Sequence, residues 1–315
     1  MTLPKGAGTQ TGRPMLDWIL FAVLSLIWAG AYPLTRLAVG KGLDTGLPPE
    51  WVLPGRLLIG AIFLWAVLIA MRKQMPPLSD RRRWTSIIGM SLVGSVIPFF
   101  LITTAQETVD SSLAALYTAA SPVFVAIGAN LLFAEERMTA RTGVGVVLGF
   151  VGVGVLFGPE ALESLGSAST IAQLLLLLAT AAYAASTLIA RAAPPMDAIA
   201  FAASYATVSA VVSMPMTLTV DPAAVSATWI NWLGVLGLGL GSSGLAQVVY
   251  MMLVVRAGAT FVSLNGYAIP VISAAFGWIF FHETQSWNAL LAFCLILGGV
   301  WLARSGGRGR LAVQR

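Results

Sequence analysis

The chain has one cysteine, Cys294, and one histidine, His282. A lone cysteine excludes an intrachain disulfide and a thiolate metal site. A lone histidine removes most zinc and Ser/His/Asp chemistries. Charge is scarce too: Asp, Glu, Lys and Arg make up 10% of the residues, against roughly 25% in a soluble domain. No ionisable residue falls in the middle of an apolar run, which argues against a proton relay, an intramembrane acid–base enzyme or a metal enzyme. Arg36, Arg56 and Glu107 lie near the ends of such runs, where a long side chain can snorkel to the interface. No catalytic residue, metal or cofactor is therefore expected.

What the chain has instead is apolar length. Of its 315 residues, 57% are hydrophobic, so it reads as an integral membrane protein whose partner is the lipid bilayer. Ten apolar stretches run at about 17–38, 52–71, 85–104, 111–133, 142–158, 171–190, 198–220, 229–252, 260–281 and 287–303. Each is near the ~20 residues that a helix needs to span a bilayer. The first, preceded by Lys5 and Arg13 and carrying Ala29-Gly30-Ala31, has the look of a cleavable leader. It is read as a retained helix because it recurs: Trp28–Arg36 (WAGAYPLTR) aligns with Tyr183–Arg191 (YAASTLIAR).

A second stretch is also used twice. Ser111–Glu135 and Ala259–Glu283 each hold a proline inside an apolar run, Pro122 and Pro270, and a glutamate 13 residues later. A proline leaves the carbonyl four residues back without its donor, here those of Thr118 and Gly266. A lone intramembrane proline is a tolerated kink. Two at matched positions favour a cavity at a repeat interface, because bare backbone at membrane depth is tolerated against protein or water.

The expected architecture is all-α: ten transmembrane helices in two inverted five-helix repeats. The boundaries are a tail at 1–16, repeats at 17–158 and 171–303, a linker at 159–170 and a basic tail at 304–315. With the N-terminus inside, all of the 18 Lys and Arg residues except Arg36, Lys41 and Arg56 fall on the cytoplasmic side, the bias that marks orientation. Both termini are then cytoplasmic, in the inner (plasma) membrane. The basic balance is this loop bias, so no nucleic-acid partner is expected. Trp18, Trp51, Trp84, Trp229, Trp232 and Trp287 fall near helix ends as interfacial anchors.

Ten helices, two inverted repeats and the Pro122/Glu135 and Pro270/Glu283 pattern resemble the drug/metabolite transporter superfamily, EamA type, over about 17–303. Within it the chain looks most like YddG-type aromatic amino-acid exporters. The resemblance implies a basket-like bundle, a central cavity lined by helices 1, 3, 4, 6, 8 and 9, and export as the usual direction. Glu135 is followed by Glu136 but Glu283 by Thr284, so the two corners are not interchangeable.

Other motifs weigh less. Gly239–Gly244 fits G-x-G-x-x-G but lies in an apolar run with no strand before it, so close helix packing is the better reading. Gly145/Gly149 and Gly154/Gly158 suit either packing within the chain or a dimer face; monomer and homodimer both stay open. Candidate binding residues are Trp28, Tyr117, Thr118, Ser121, Pro122, Tyr183, Ser186, Ser243, Gln247, Asn265, Gly266, Tyr267 and Pro270, with Glu135 and Glu283 as gating or structural residues. Aromatics with a few hydroxyls and amides suit a small, partly apolar, net-neutral solute. Phosphate substrates need basic residues at the site. The expected function is alternating-access export of small metabolites, amino acids with aromatic preference. The alternatives are a transporter of cationic drugs or polyamines, which needs an acid in the cavity, and a lipid-modifying membrane enzyme, which needs a catalytic cluster.

Overall fold

The computed structural model describes residues 15–132, 139–157, 168–257, 259–262, 264–284 and 286–311. The described secondary structure is entirely helical. Seven helices are long and apolar enough to cross a membrane: α1 (Met15–Val39), α2 (Pro49–Ala70), α3 (Arg81–Ala105), α4 (Ser111–Leu132), α6 (Ala168–Ala192), α7 (Ala198–Thr219) and α8 (Trp229–Val254). Three shorter apolar helices are α5 (Ala140–Phe157), α9 (Asn265–Phe281) and α10 (Trp287–Leu311).

Local chemistry sets the boundaries. Asp80 opens α3 by accepting from the Arg83 N–H, and Asp197 opens α7 by accepting from those of Ile199 and Ala200. Thr228 and Asn231 cap α8 reciprocally. Such side chains satisfy N–H groups that a helix start leaves free.

Helix α7 tightens to a 3-10 turn over Met214–Thr219, and four helices that border the cavity described below are irregular within their spans. In α3 the segment Leu92–Val96 is a π-helix just before Pro98. Pro98 cannot donate to Gly94, and the wider turn absorbs the misfit. In α8 the glycine- and serine-rich Leu238–Leu245 is a second π segment. This is where the G-x-G-x-x-G pattern falls, and close packing is its structural role: a Cβ on Gly60, Gly239 or Gly244 would press on Ser243, Ile59 or Phe63. The α2 and α8 backbones thus approach more closely than side chains would permit.

The two proline repeats differ from the sequence expectation and from each other. Helix α4 does not run through Pro122. It stops at Thr118 and restarts at Ser121, which places Pro122 in a first turn, where its missing N–H leaves no donor unpaired. Pro270 does lie inside its helix, and a single turn, Ala259–Val262, precedes that helix. Duplicated sequence has produced breaks in different places.

Helices α5 and α10 form a pair at the side of the bundle. Gly299 lies against the backbone of Gly145 and Gly149, and Gly152 against Ala292 and Ile296. Gly145 and Gly149 are therefore used inside the chain. Gly154 faces open space, and Gly158 lies outside the described residues.

Candidate functional site

A cavity of about 770 Å³ lies between the helices. Trp28, Tyr32 and Thr35 of α1 form one wall, with Arg56 of α2 and Phe99 and Ile102 of α3 beside them. The broken part of α4 contributes Thr118, Ser121 and Pro122; α6 and α7 contribute Tyr183 and Tyr205. Gln247 and Tyr250 of α8 and Asn265, Gly266 and Pro270 of α9 complete it. The lining continues to Ala129, Thr142 and Val300. The void thus extends toward the end of the bundle where α4 finishes and α5 begins, and stops short of the other end.

Within it, Tyr32 shares a 2.6 Å hydrogen bond with the Thr118 hydroxyl, tying α1 to the α4 break. Trp28 stacks obliquely on Tyr250, and Phe99 meets Tyr183 edge-on. Gln247 makes no hydrogen bond with a described residue, so its amide is available to a ligand.

Arg56 is the feature that sequence reasoning missed. It lies two turns into α2 and does not snorkel to an interface: it is 5% exposed. Its Nε donates to Ser243 Oγ at 3.3 Å and its Nη2 to Ser242 Oγ at 3.0 Å. The guanidinium carbon stands 4.0 Å from the centre of the Phe99 ring, a cation–π distance. No carboxylate lines the cavity among the described residues. The expectation of a site without charged groups is thus overturned by a cation on its wall. The missed signal is the Ser242–Ser243 pair in α8, which offers two hydroxyl acceptors to a buried donor.

Other expected binding residues lie differently. Tyr117 is fully buried outside the lining and donates to Gln173 at 2.6 Å. Ser186 packs over Gly94, behind the wall. Ser243 is occupied as the acceptor for Arg56. Asn265 faces the cavity, but its amide is committed: Oδ1 accepts from Ser25 at 2.6 Å and Nδ2 donates to the Val262 carbonyl at 3.0 Å. The Tyr267 side chain and Glu135 lie outside the described residues.

The closed end is sealed by charge. His282 takes a left-handed conformation, φ 53°, which ends α9 and turns the chain back. Glu283 then tucks over Gly277, where a Cβ would collide with its carboxylate. Across the gap α4 begins at Ser111, and Asp110 before it provides no side-chain cap. Glu283 caps that helix from a distance. Its oxygens accept from the Ser111 and Ser112 N–H groups, each at 3.0 Å, and from both hydroxyls at 2.6–3.1 Å. Arg36, in the last turn of α1, pairs with the same carboxylate and with Asp110 at 3.2 Å; Lys41 also meets Asp110, at 2.5 Å. Burial alone would raise the Glu283 pKa, but the hydrogen bonds from Ser112 and Ser111 outweigh it and hold the carboxyl below its ordinary value. One glutamate thus joins the ends of α1, α4 and α9. At the opposite end, Asp17 of α1 pairs with Arg256 after α8 at 2.9 Å.

A family model described as the EamA-like transporter family matches residues 16–158 and again 170–305. Among curated relatives, the uncharacterized transporter YoaV of Bacillus subtilis (strain 168) is 26% identical over 89% of this chain and 93% of its own length. The uncharacterized transporter YdfC of the same organism is 28% identical over 87% of this chain and 86% of its own. One solved crystal structure shares the fold, with a TM-score of 0.61 at 20% identity, over 89% of this chain and 98% of the other.

Proposed function

The chain belongs to the EamA-like transporter family and is a multi-pass membrane protein, and from that premise we propose that it is an inner-membrane secondary transporter. Its cargo is small, carboxylate-bearing metabolites, amino acids with aromatic side chains among them. Its mechanism is alternating access, two inverted repeats of five helices each rocking about the central cavity. The observation that carries this reading is a one-sided cavity: its lining extends toward one end of the bundle, and the Glu283 cluster closes the other.

With both termini cytoplasmic, as the Lys/Arg bias supports, the sealed end is periplasmic and the state is inward-facing. Cargo enters from the cytoplasm and leaves when the Glu283 cluster opens. The rings of Trp28, Tyr32, Tyr183, Tyr205 and Tyr250 supply an apolar, polarisable wall for an aromatic body. Cationic drugs and polyamines fit poorly, because among the described residues the one ionised group on the wall is Arg56 and no acid answers it.

The test is uptake and efflux of a labelled panel in proteoliposomes, comprising aromatic and aliphatic amino acids, organic acids and polyamines. Transport of aromatic, carboxylate-bearing members above protein-free vesicles supports the reading. Transport of polyamines alone overturns it.

A further inference from the structure

We propose that the free end of the Arg56 guanidinium is the carboxylate subsite of the cavity, and that the preferred cargo is an organic monoanion, an aromatic or apolar monocarboxylate, rather than a zwitterion. This rests on the transporter reading above and narrows its substrate class.

The geometry of Arg56 carries the argument. A guanidinium has five N–H donors in a fixed fork and stays protonated in proteins. The edge formed by Nε and Nη2 is occupied by Ser243 and Ser242, and Phe99 covers one face. These contacts immobilise the group without neutralising it, since hydroxyls and a ring carry no charge. What is left is the end-on pair, Nη1 with the second Nη2 hydrogen, on a side chain that lines the cavity. Two parallel N–H donors in that fork match the two oxygens of a carboxylate. Glu50 and Glu107, at the sealed end, do not line the cavity, and Asp17 is paired with Arg256.

Charge balance then selects the class. A buried cation without a counterion is expensive at membrane depth, and one carboxylate cancels it. A zwitterion brings the same carboxylate with an ammonium that must also leave water. For that ammonium the wall offers ring faces and the backbone near Thr118 and Gly266, but no acid among the described residues, and the Asn265 carbonyl oxygen already accepts from Ser25. The α-amino group is therefore a burden on binding rather than a handle.

The experiment uses the full-length purified protein and three probes that share one ring: 3-phenylpropionate, phenylalanine and 2-phenylethylamine. Binding is read by Trp fluorescence or calorimetry, and transport in proteoliposomes. The expected order is 3-phenylpropionate ahead of phenylalanine by about fivefold or more, the effect of one unmatched polar group, with no binding of 2-phenylethylamine. Chloride and acetate should not compete, which separates a carboxylate on an aromatic body from a small inorganic or apolar-poor anion. Arg56→Gln should weaken 3-phenylpropionate by at least ~30-fold, as expected for loss of a bidentate ionic contact, and Arg56→Lys should recover part of it. If Arg56→Gln fails to fold, Ser242→Ala/Ser243→Ala keeps the charge but frees the fork, and should cost about 3- to 10-fold. Phenylalanine binding much more tightly than 3-phenylpropionate overturns the monoanion class and leaves the transporter reading intact. Equal binding of 3-phenylpropionate by parent and Arg56→Gln overturns the subsite. Absence of transport of any panel solute, with carboxylate binding retained, overturns the transporter reading and not the subsite.

Discussion

Glu283→Gln is the most informative perturbation of the sealed end. The amide keeps the shape of the carboxylate but loses its charge, and presents an N–H₂ where four donors of Ser111 and Ser112 now converge. Hydrogen bonds to a charged acceptor contribute ~1.5–3 kcal/mol each, neutral ones ~0.5–1.5. Losing one partner of a fully buried ion pair costs ~3–5 kcal/mol. Arg36 is not stranded, since Asp110 remains at 3.2 Å and the Arg36 side chain is 14% exposed, so the net destabilisation should fall below the fully buried range, at about 2–3 kcal/mol. If the cluster exists only in the state closed at this end, that shifts the equilibrium toward the open state by about 30- to 150-fold. Thr35 lines the cavity on the side nearest the cluster and is 2% exposed. In a Cys294→Ser background, a Thr35→Cys reporter should react slowly with a membrane-impermeant maleimide added outside intact cells. Adding Glu283→Gln should accelerate the reaction at least tenfold at equal expression, and slow net transport because the outer side no longer closes firmly. Labelling and transport both within twofold of the parent would refute the gating argument and leave Glu283 as a helix cap alone.

Four further outcomes are expected. With no carboxylate on the cavity wall among the described residues, transport should run down the substrate gradient without obligatory proton movement; accumulation driven by an imposed pH step in proteoliposomes refutes this. Because the Glu283 pKa is depressed, its contribution is complete above the ordinary carboxylate range and lost only as pH falls through the depressed value; the ratio of maleimide labelling of Thr35→Cys to that of Thr35→Cys/Glu283→Gln, in which the pH dependence of the thiolate cancels, should therefore stay flat from about pH 8 to 5. Burial, then the charge of Glu50, raises the Glu107 pKa, so the part of any pH dependence of transport that comes from this group should lie above the ordinary carboxylate value and vanish in Glu107→Gln. Gln247→Ala should weaken aromatic substrates about fivefold through loss of one hydrogen bond, without lowering expression; unchanged apparent affinity would place the ligand away from α8.

The apolar runs marked the helices because a span of ~20 residues without charge admits few other structures. They were silent about irregularity. Pro98 and the glycines of α8 announced strain, yet only packing decides whether strain becomes a kink, a π segment or a break, and Pro122 and Pro270 resolved it differently. Of the candidate aromatics, Trp28 and Tyr183 line the cavity, whereas Tyr117 does not and Tyr32, Tyr205 and Tyr250 join them. The site was illegible in its charge and its amides. Distance from a helix end made Arg56 look interfacial, whereas the face it occupies, opposite Ser242 and Ser243, depends on the close approach of α2 and α8 at Gly60, Gly239 and Gly244. Asn265 and Ser243 looked like ligand donors because sequence cannot show that Ser25 and Arg56 claim them first. Glu283 was visible as half of a repeat. Its work depends on what the repeat leaves out, for Asp110 fails to cap α4 and the glutamate at the end of α9 takes that place. A cap supplied by another helix can be withdrawn when that helix moves, whereas a cap from the preceding residue cannot. That difference makes the contact suited to a gate, and it ties the helix-terminal chemistry of α4 to the position of α9.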